Sequence, residues 1–243
     1  MAEFQIEAVE ADGLRVVRKG GYKKMELGWD LLDMDWLKAN HPDLWEEKLE
    51  IEKAQRRAFE DYYFGDSKAK ISQKIQSRGG LRVAGEIFGD TDPAVTWVCF
   101  DVEALNQFYR FQFDENKELE SLEVHQSFDL ADGAETSMKE EWERIAEWVN
   151  DNRSELVRGG AYNRQSDWRR LVRQLKSRRG SKHVTHEWED ARREFELAVL
   201  WREIEIPAPS GTGGEITFFG KTMDVGARSF RRTDWLVLQA RLK

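Results

Sequence analysis

The 243-residue chain contains a single cysteine, Cys99. No disulfide can form within it, and no cysteine-based zinc site can be assembled. Cys99 falls in the apolar run at residues 95–100, where a small buried hydrophobe is expected rather than a reactive thiol. No apolar run approaches the roughly 20 residues of a membrane-spanning helix. The opening Met-Ala-Glu-Phe-Gln-Ile-Glu lacks the basic and apolar regions of a signal peptide. These absences predict a cytoplasmic setting without a membrane partner. Solenoid repeats are also missing, as is a long low-complexity linker. One domain over residues 1–243 is therefore expected, with residues 153–182 as a subregion that could stand apart.

What is abundant is charge and aromatic surface. Charged residues make up 35% of the chain, against about 25% in an average domain. Aromatic residues reach 12%, including 10 Trp, and disordered chains are poor in them. A folded core is expected.

Hydrophobic period divides the chain into an α+β pattern. Residues 4–17 predict a strand pair around the turn signal Asp12-Gly13. Helices are expected at 29–40, at 43–63 with Ile51, Ala54, Ala58 and Tyr62 on one stripe, and at 68–76 before Gly79-Gly80. The period then shortens. Residues 81–88, 95–103, 108–113 and 119–128 favour strands, with a hairpin turn at 114–117. This is an antiparallel β-meander over about residues 81–128, packed by flanking amphipathic helices. Ser137 and Glu140 have the spacing of a capping box for a helix at 137–150. Another helix is expected at 187–203. Short strands at 215–219 and 235–242 follow the Pro/Gly loop at 207–214.

Charge is not evenly spread. Residues 153–182 hold ten Arg/Lys against Glu155 and Asp167, a net +8, which leaves −16 on the rest of a chain whose total is −8. Within it, residues 167–179 predict an amphipathic helix with Trp168, Leu171, Val172 and Leu175 on one face. Arg164, Arg169, Arg170, Arg173, Lys176, Arg178, Arg179 and Lys182 are the candidate contacts to nucleic acid or to an acidic protein partner. The bland alternative is that this segment lies against the acidic helices of its own chain. Trp148 and Trp201 sit off the assigned apolar stripes and are candidate interface residues.

Several short motifs carry weaker chemistry. His125-Gln126-Ser127 and His183-Val184-Thr185 form a repeated H-x-S/T. The pair resembles the motifs of two-histidine phosphoesterases. That resemblance implies His125, Ser127, His183 and Thr185 lining a groove for phosphodiester cleavage, each His acting as acid or base. The second copy departs from the pattern, being flanked by Lys182 and His186 rather than by apolar residues. His183 and either His186 or Glu187 would share a face if helical and could then hold a metal. Asp90/Asp92, Asp101/Glu103 and Glu115-Asn116-Lys117 contain the residue types of a metal-dependent nuclease, but the last triplet falls in the expected turn. Gly214–Thr222 has five residues between its glycines where a P-loop needs four. No cofactor is expected. The composition favours a non-catalytic binding protein of inhibitor, adaptor or immunity type that uses a charged surface. A phosphodiester- or nucleic-acid-processing enzyme is the alternative.

Overall fold

The computed structural model describes residues 4–10, 12–21, 23–83, 90, 92–101, 106–128, 135–152, 182–190, 192–203, 214–218, 221–225 and 232–243. The expectation of one continuous domain meets a contact pattern that gathers the chain into two compact units, Met1–Arg56 and Arg57–Lys243.

The first unit opens with three antiparallel strands in the order β1 (Phe4–Glu10), β2 (Gly13–Arg18) and β3 (Lys24–Gly28). The turn at Asp12-Gly13 is as expected. A Cβ on Gly13 would lie 2.0 Å from the Leu27 carbonyl oxygen, so only glycine lets β2 approach β3 here. A 3-10 turn at Trp29–Leu31 precedes α1 (Met34–Asn40), so the helix expected from residue 29 starts five residues later. The Asp33 carboxylate accepts from the Trp36 amide at 2.9 Å and sets that start. Pro42 opens α2 (Pro42–Gln55). Lys48 is buried on α2, with its ammonium 5.3 Å from the Trp29 ring and 5.2 Å from the Trp45 ring, and it pairs with Glu52.

The helix expected to run to residue 63 ends at Gln55. Residues 57–63 instead form a tight hairpin in the second unit, β4 (Arg57–Phe59) and β5 (Tyr62–Tyr63), turning at Glu60 with φ 51°. Ala58, Phe59 and Tyr62 are all fully buried there, so both sides of the segment are apolar, and a helical stripe read from one side misassigns it. Next comes α3 (Lys68–Ser77), capped by Ser67, whose hydroxyl accepts from the Lys70 amide at 3.3 Å.

The body of this unit is a seven-stranded antiparallel sheet. Its strands are β6 (Leu81–Arg82), β7 (Val95–Cys99), β8 (Gln107–Phe113), β9 (Leu119–Phe128), β10 (Lys182–Glu189), β11 (Arg193–Glu203) and β14 (Arg232–Leu242). The spatial order is β10-β11-β14-β9-β8-β7-β6. The α+β architecture and the meander across β6–β9 are as expected, with the β8–β9 turn at residues 114–117. The C-terminal strand is central, between β9 and β11. A separate hairpin joins β12 (Gly214–Phe218) and β13 (Lys221–Val225). Lys221 is therefore in a strand, and a P-loop, which needs a helix there, is ruled out.

One sheet face carries Val98, Tyr109, Phe111, Leu122, Val124, Leu236, Leu238, Phe195, Leu197 and Val199. It packs on Ile71 and Ile75 of α3 and on Met138, Trp142, Ile145 and Val149 of α4 (Glu135–Asn152). Ser137 lies inside α4, two residues past its start, so the expected capping box does not form. Trp148, expected at an interface, packs on the core edge-on to Phe59 with centroids 4.7 Å apart. The basic segment at residues 153–181 lies outside the described residues.

The largest departure is at 187–203, expected helical and observed as the β10–β11 hairpin. Glu194, Phe195, Glu196 and Leu197 alternate polar and apolar, the strand period, and the stripe read at 188, 191, 195, 198 and 199 competes with it. What decides is Asp190. Its carboxylate accepts from the Arg192 and Arg193 amides at 2.9 and 2.7 Å, building the turn without glycine or proline. The Arg193 guanidinium binds the same carboxylate through Nε at 2.8 Å. It also donates to the Arg57 carbonyl at 2.9 Å and to the Asn152 carbonyl, at the end of α4, at 2.8 Å. Both side chains are essentially fully buried. Replacing Arg193 with Met strands a buried carboxylate and two carbonyls. Urea denaturation of Arg193→Met is expected to show a loss of about 3–5 kcal/mol, with Asp190→Ala comparably damaged.

Candidate functional site: the outer face of the sheet

The face turned away from the helices is ordered in rows, because side chains at paired positions share a face. One row runs Trp97, Arg110, Glu123, Gln239, Glu196, Glu187 across six strands. The row on one side of it contains Cys99, Phe108, His125, Val237 and Ala198. On the other side lie Gln112, Ser121, Arg241, Glu194 and Glu189.

At the β7–β9 end the face is a closed polar network. Arg110 Nε donates to Asp90 at 2.6 Å and its Nη1 to the Gln112 side-chain oxygen at 2.8 Å, with Glu123 at 3.5 Å. Glu123 accepts from Gln239 Nε2 at 2.8 Å and meets His125 Nε2 at 2.9 Å. Trp97 Nε1 donates to Asp90 at 3.3 Å, and its ring stands edge-on to the imidazole at 5.1 Å. A Glu–His pair is the orienting half of a general base, but this imidazole is wholly buried. Charges alternate Asp90, Arg110, Glu123, which is how a half-buried network keeps its charges compensated.

At the β10–β11 end the face opens into a cavity of about 420 Å³, lined by Glu187, Trp188, Glu189, Glu194, Phe195, Glu196, Gln239 and Arg241. Four carboxylates face one guanidinium. Glu187 registers directly on Glu196, and Glu189 on Glu194, and like charges opposed across strands are unfavourable. Lys243 relieves one of them, 3.0 Å from Glu189. Sequence reasoning missed these glutamates because a helical assignment scatters them. Their signal was the Glu-x-Glu alternation at 187/189 and 194/196.

Among the described residues, those singled out from sequence do not converge. His125 lies on β9, and His183 in β10 registers on Val199, one column over from His125 and three strands away, roughly 14 Å at the usual spacing. Ser127 is half-buried on β9, its amide bonded to the Asn106 carbonyl at 2.8 Å. Thr185 occupies the register shift in β10, between Val184 and His186. His183, His186 and Glu187 are thus in a bulged strand, not on a helix face. Among the described residues no group of three or more metal-ligating side chains forms. Asp90 serves Arg110, Asp92 accepts from the Ala94 amide at 2.8 Å, Glu103 lies outside the described residues, and Glu115-Asn116-Lys117 is in the β8–β9 turn, so among the described residues no nuclease constellation assembles. Trp201 registers on Asp234. Lys182 begins β10. Arg164, Arg169, Arg170, Arg173, Lys176, Arg178 and Arg179 lie outside the described residues. No described helix is long and apolar enough to cross a membrane. A scan against protein-family models, a search of curated proteins and a search of solved structures each found no match.

Cys99, in the row of His125, is fully buried with Sγ 3.2 Å from the Asp101 carbonyl. Burial pushes its thiol up from 9.0 to about 12. The folded chain holds this proton more tightly than the unfolded chain. Its contribution is complete below pH 9 and is lost as pH rises toward about 12. Denaturation across that window is expected to show Cys99→Ala losing less stability than the parent.

Proposed function

We propose that the protein is a non-catalytic binding protein, of inhibitor, adaptor or immunity type, that works through charged surfaces. The observation that carries this reading is the cavity in which four glutamates on β10 and β11 confront one another across the hairpin. An acidic excess of this kind, four carboxylates beside Arg241 and Lys243, suits a cationic partner, and a basic polypeptide supplies ammonium and guanidinium groups at suitable spacing. The basic segment, with Arg164, Arg169, Arg170, Arg173, Lys176, Arg178, Arg179 and Lys182, serves as a second contact of opposite sign that leads directly into β10. Charge complementarity of this kind governs association rate and partner choice. A phosphodiesterase using His125 and His183 draws no support from the register, which separates the two positions by three strands. It draws none from the imidazole of His125 either, which is committed to Glu123.

The test is binding of the full chain to an arginine-rich peptide at low salt, by calorimetry. Glu187→Lys with Glu194→Lys is expected to weaken binding at least about tenfold and to flatten its salt dependence. Affinity unchanged by the double reversal overturns the reading.

A further inference from the structure

The acidic cavity adjoins an edge of the sheet. Strand β10 is the last in the sheet order, and among the described residues it pairs with β11 alone. In an antiparallel pair, successive residues turn their amide and carbonyl alternately toward the neighbouring strand and away from it. The phase is set at the Asp190 corner. The Asp190 amide donates to the Arg193 carbonyl at 2.9 Å, so Asp190 bonds inward to β11. Register then continues unbroken through Glu189 on Glu194, Trp188 on Phe195 and Glu187 on Glu196, and shifts only between Val184 and His186. Trp188 therefore bonds toward β11, and the amides and carbonyls of Glu187 and Glu189 point out of the edge.

These are the same two β10 residues whose carboxylates line the cavity on the outer face. Glu187 is exposed and Glu189 half-buried, with Lys243 3.0 Å from Glu189. Trp188, between them, turns its side chain to the other face and joins the core. An edge with outward amides and carbonyls is a template for a further strand, and its side chains decide which strand fits. A second copy of the chain, paired antiparallel around Trp188, would set Glu187 against Glu189 of that copy. Like charges directly opposite are unfavourable. A cationic strand meets the reverse condition.

We propose that the basic polypeptide partner adds to β10 as a further antiparallel strand, its backbone bonded to Glu187 and Glu189. The inference rests on the binding role of the acidic cavity and specifies how the partner is held. In an added strand, the side chains directly opposite Glu187 and Glu189 share their outer face, about 5 Å away. They stand two residues apart, as the glutamates do. The residue between them lies on the face of Trp188, where an apolar side chain extends the core. The partner chemistry is thus an extended segment in which Arg or Lys alternates with apolar residues. A basic helix does not match, because its same-face residues recur at three and four. Backbone bonds along an edge supply affinity, and alternate side chains supply choice of partner.

The experiment is calorimetry of the full chain with three peptides. One is Arg-Val-Arg-Val-Arg-Val-Arg, the second is the same peptide N-methylated on its arginine amides, and the third is N-methylated on its valine amides. In the antiparallel arrangement the arginine amides face β10 and the valine amides face away. Arginine methylation is expected to weaken binding about tenfold or more, and valine methylation to leave it within about twofold. Amide hydrogen exchange gives a second readout. In the free chain the Glu187 and Glu189 amides are expected to exchange faster than that of Trp188, and to become protected when the unmethylated peptide binds. Binding that is lost in Glu187→Lys with Glu194→Lys, yet is equal for all three peptides, overturns strand addition and leaves the acidic binding role standing. Glu187 and Glu189 amides already protected in the free chain also overturn it, because the edge is then occupied. Failure of every peptide to bind, the arginine-rich one included, overturns both.

Discussion

The fold of the larger unit depends on the ion pair between Asp190 and Arg193. Two charges hidden from water are tolerated only when their remaining hydrogen-bonding capacity is used, and here it is. The Asp190 carboxylate takes two backbone amides as well as the guanidinium, and the guanidinium takes the carbonyls of Arg57 and Asn152. One corner of the sheet is thereby tied to the β4 hairpin and to the carboxyl end of α4, whose last carbonyls have no partner inside the helix. The chain's final residue joins the same corner. The Lys243 amide bonds the Arg192 carbonyl, and its ammonium bonds the Asp190 carbonyl at 2.8 Å. With this corner set, β11 and β14 pair along eleven residues.

The acidic surface follows from that pairing. Once β10 and β11 are strands, every second residue is displayed outward. Phe195, Leu197 and Val199 then face the core while Glu194 and Glu196 face away. The acidic cavity is thus the outward half of the pattern that builds the interior. At the other end of the same face the charges are mutually satisfied, Arg110 lying between Asp90 and Glu123. The β10–β11 end carries four glutamates beside Arg241 and Lys243, and that acidic excess is the basis of the proposed binding role.

Much of the frame was legible beforehand. The β7–β9 meander, the turn at residues 114–117, α3 and the apolar stripe of α4 all show period or turn chemistry within a single stretch of chain. The segments misassigned share a different property. Residues 57–63 are apolar on both sides, and residues 187–203 satisfy a helical stripe and a strand alternation at once. Local pattern does not arbitrate such cases. Burial of Phe59 and Tyr62 in the core decides the first, and the Asp190–Arg193 corner decides the second. The sites were less legible than the frame. His125 and His183 look alike in sequence, yet one is a buried strut bonded to Glu123 and the other sits three strands away.

The sequence by itself determined the composition-level facts: one thiol, an acidic balance, a basic stretch at residues 153–182, and an α+β pattern with an antiparallel meander. These follow from residue type and short-range period, which need no partner strand. Tertiary structure alone decided which glutamates oppose one another, that His125 is buried, and how far it lies from His183. Those are properties of register and of distance between residues far apart in the chain. The β10–β11 register begins where the buried Asp190–Arg193 corner turns the chain back on itself.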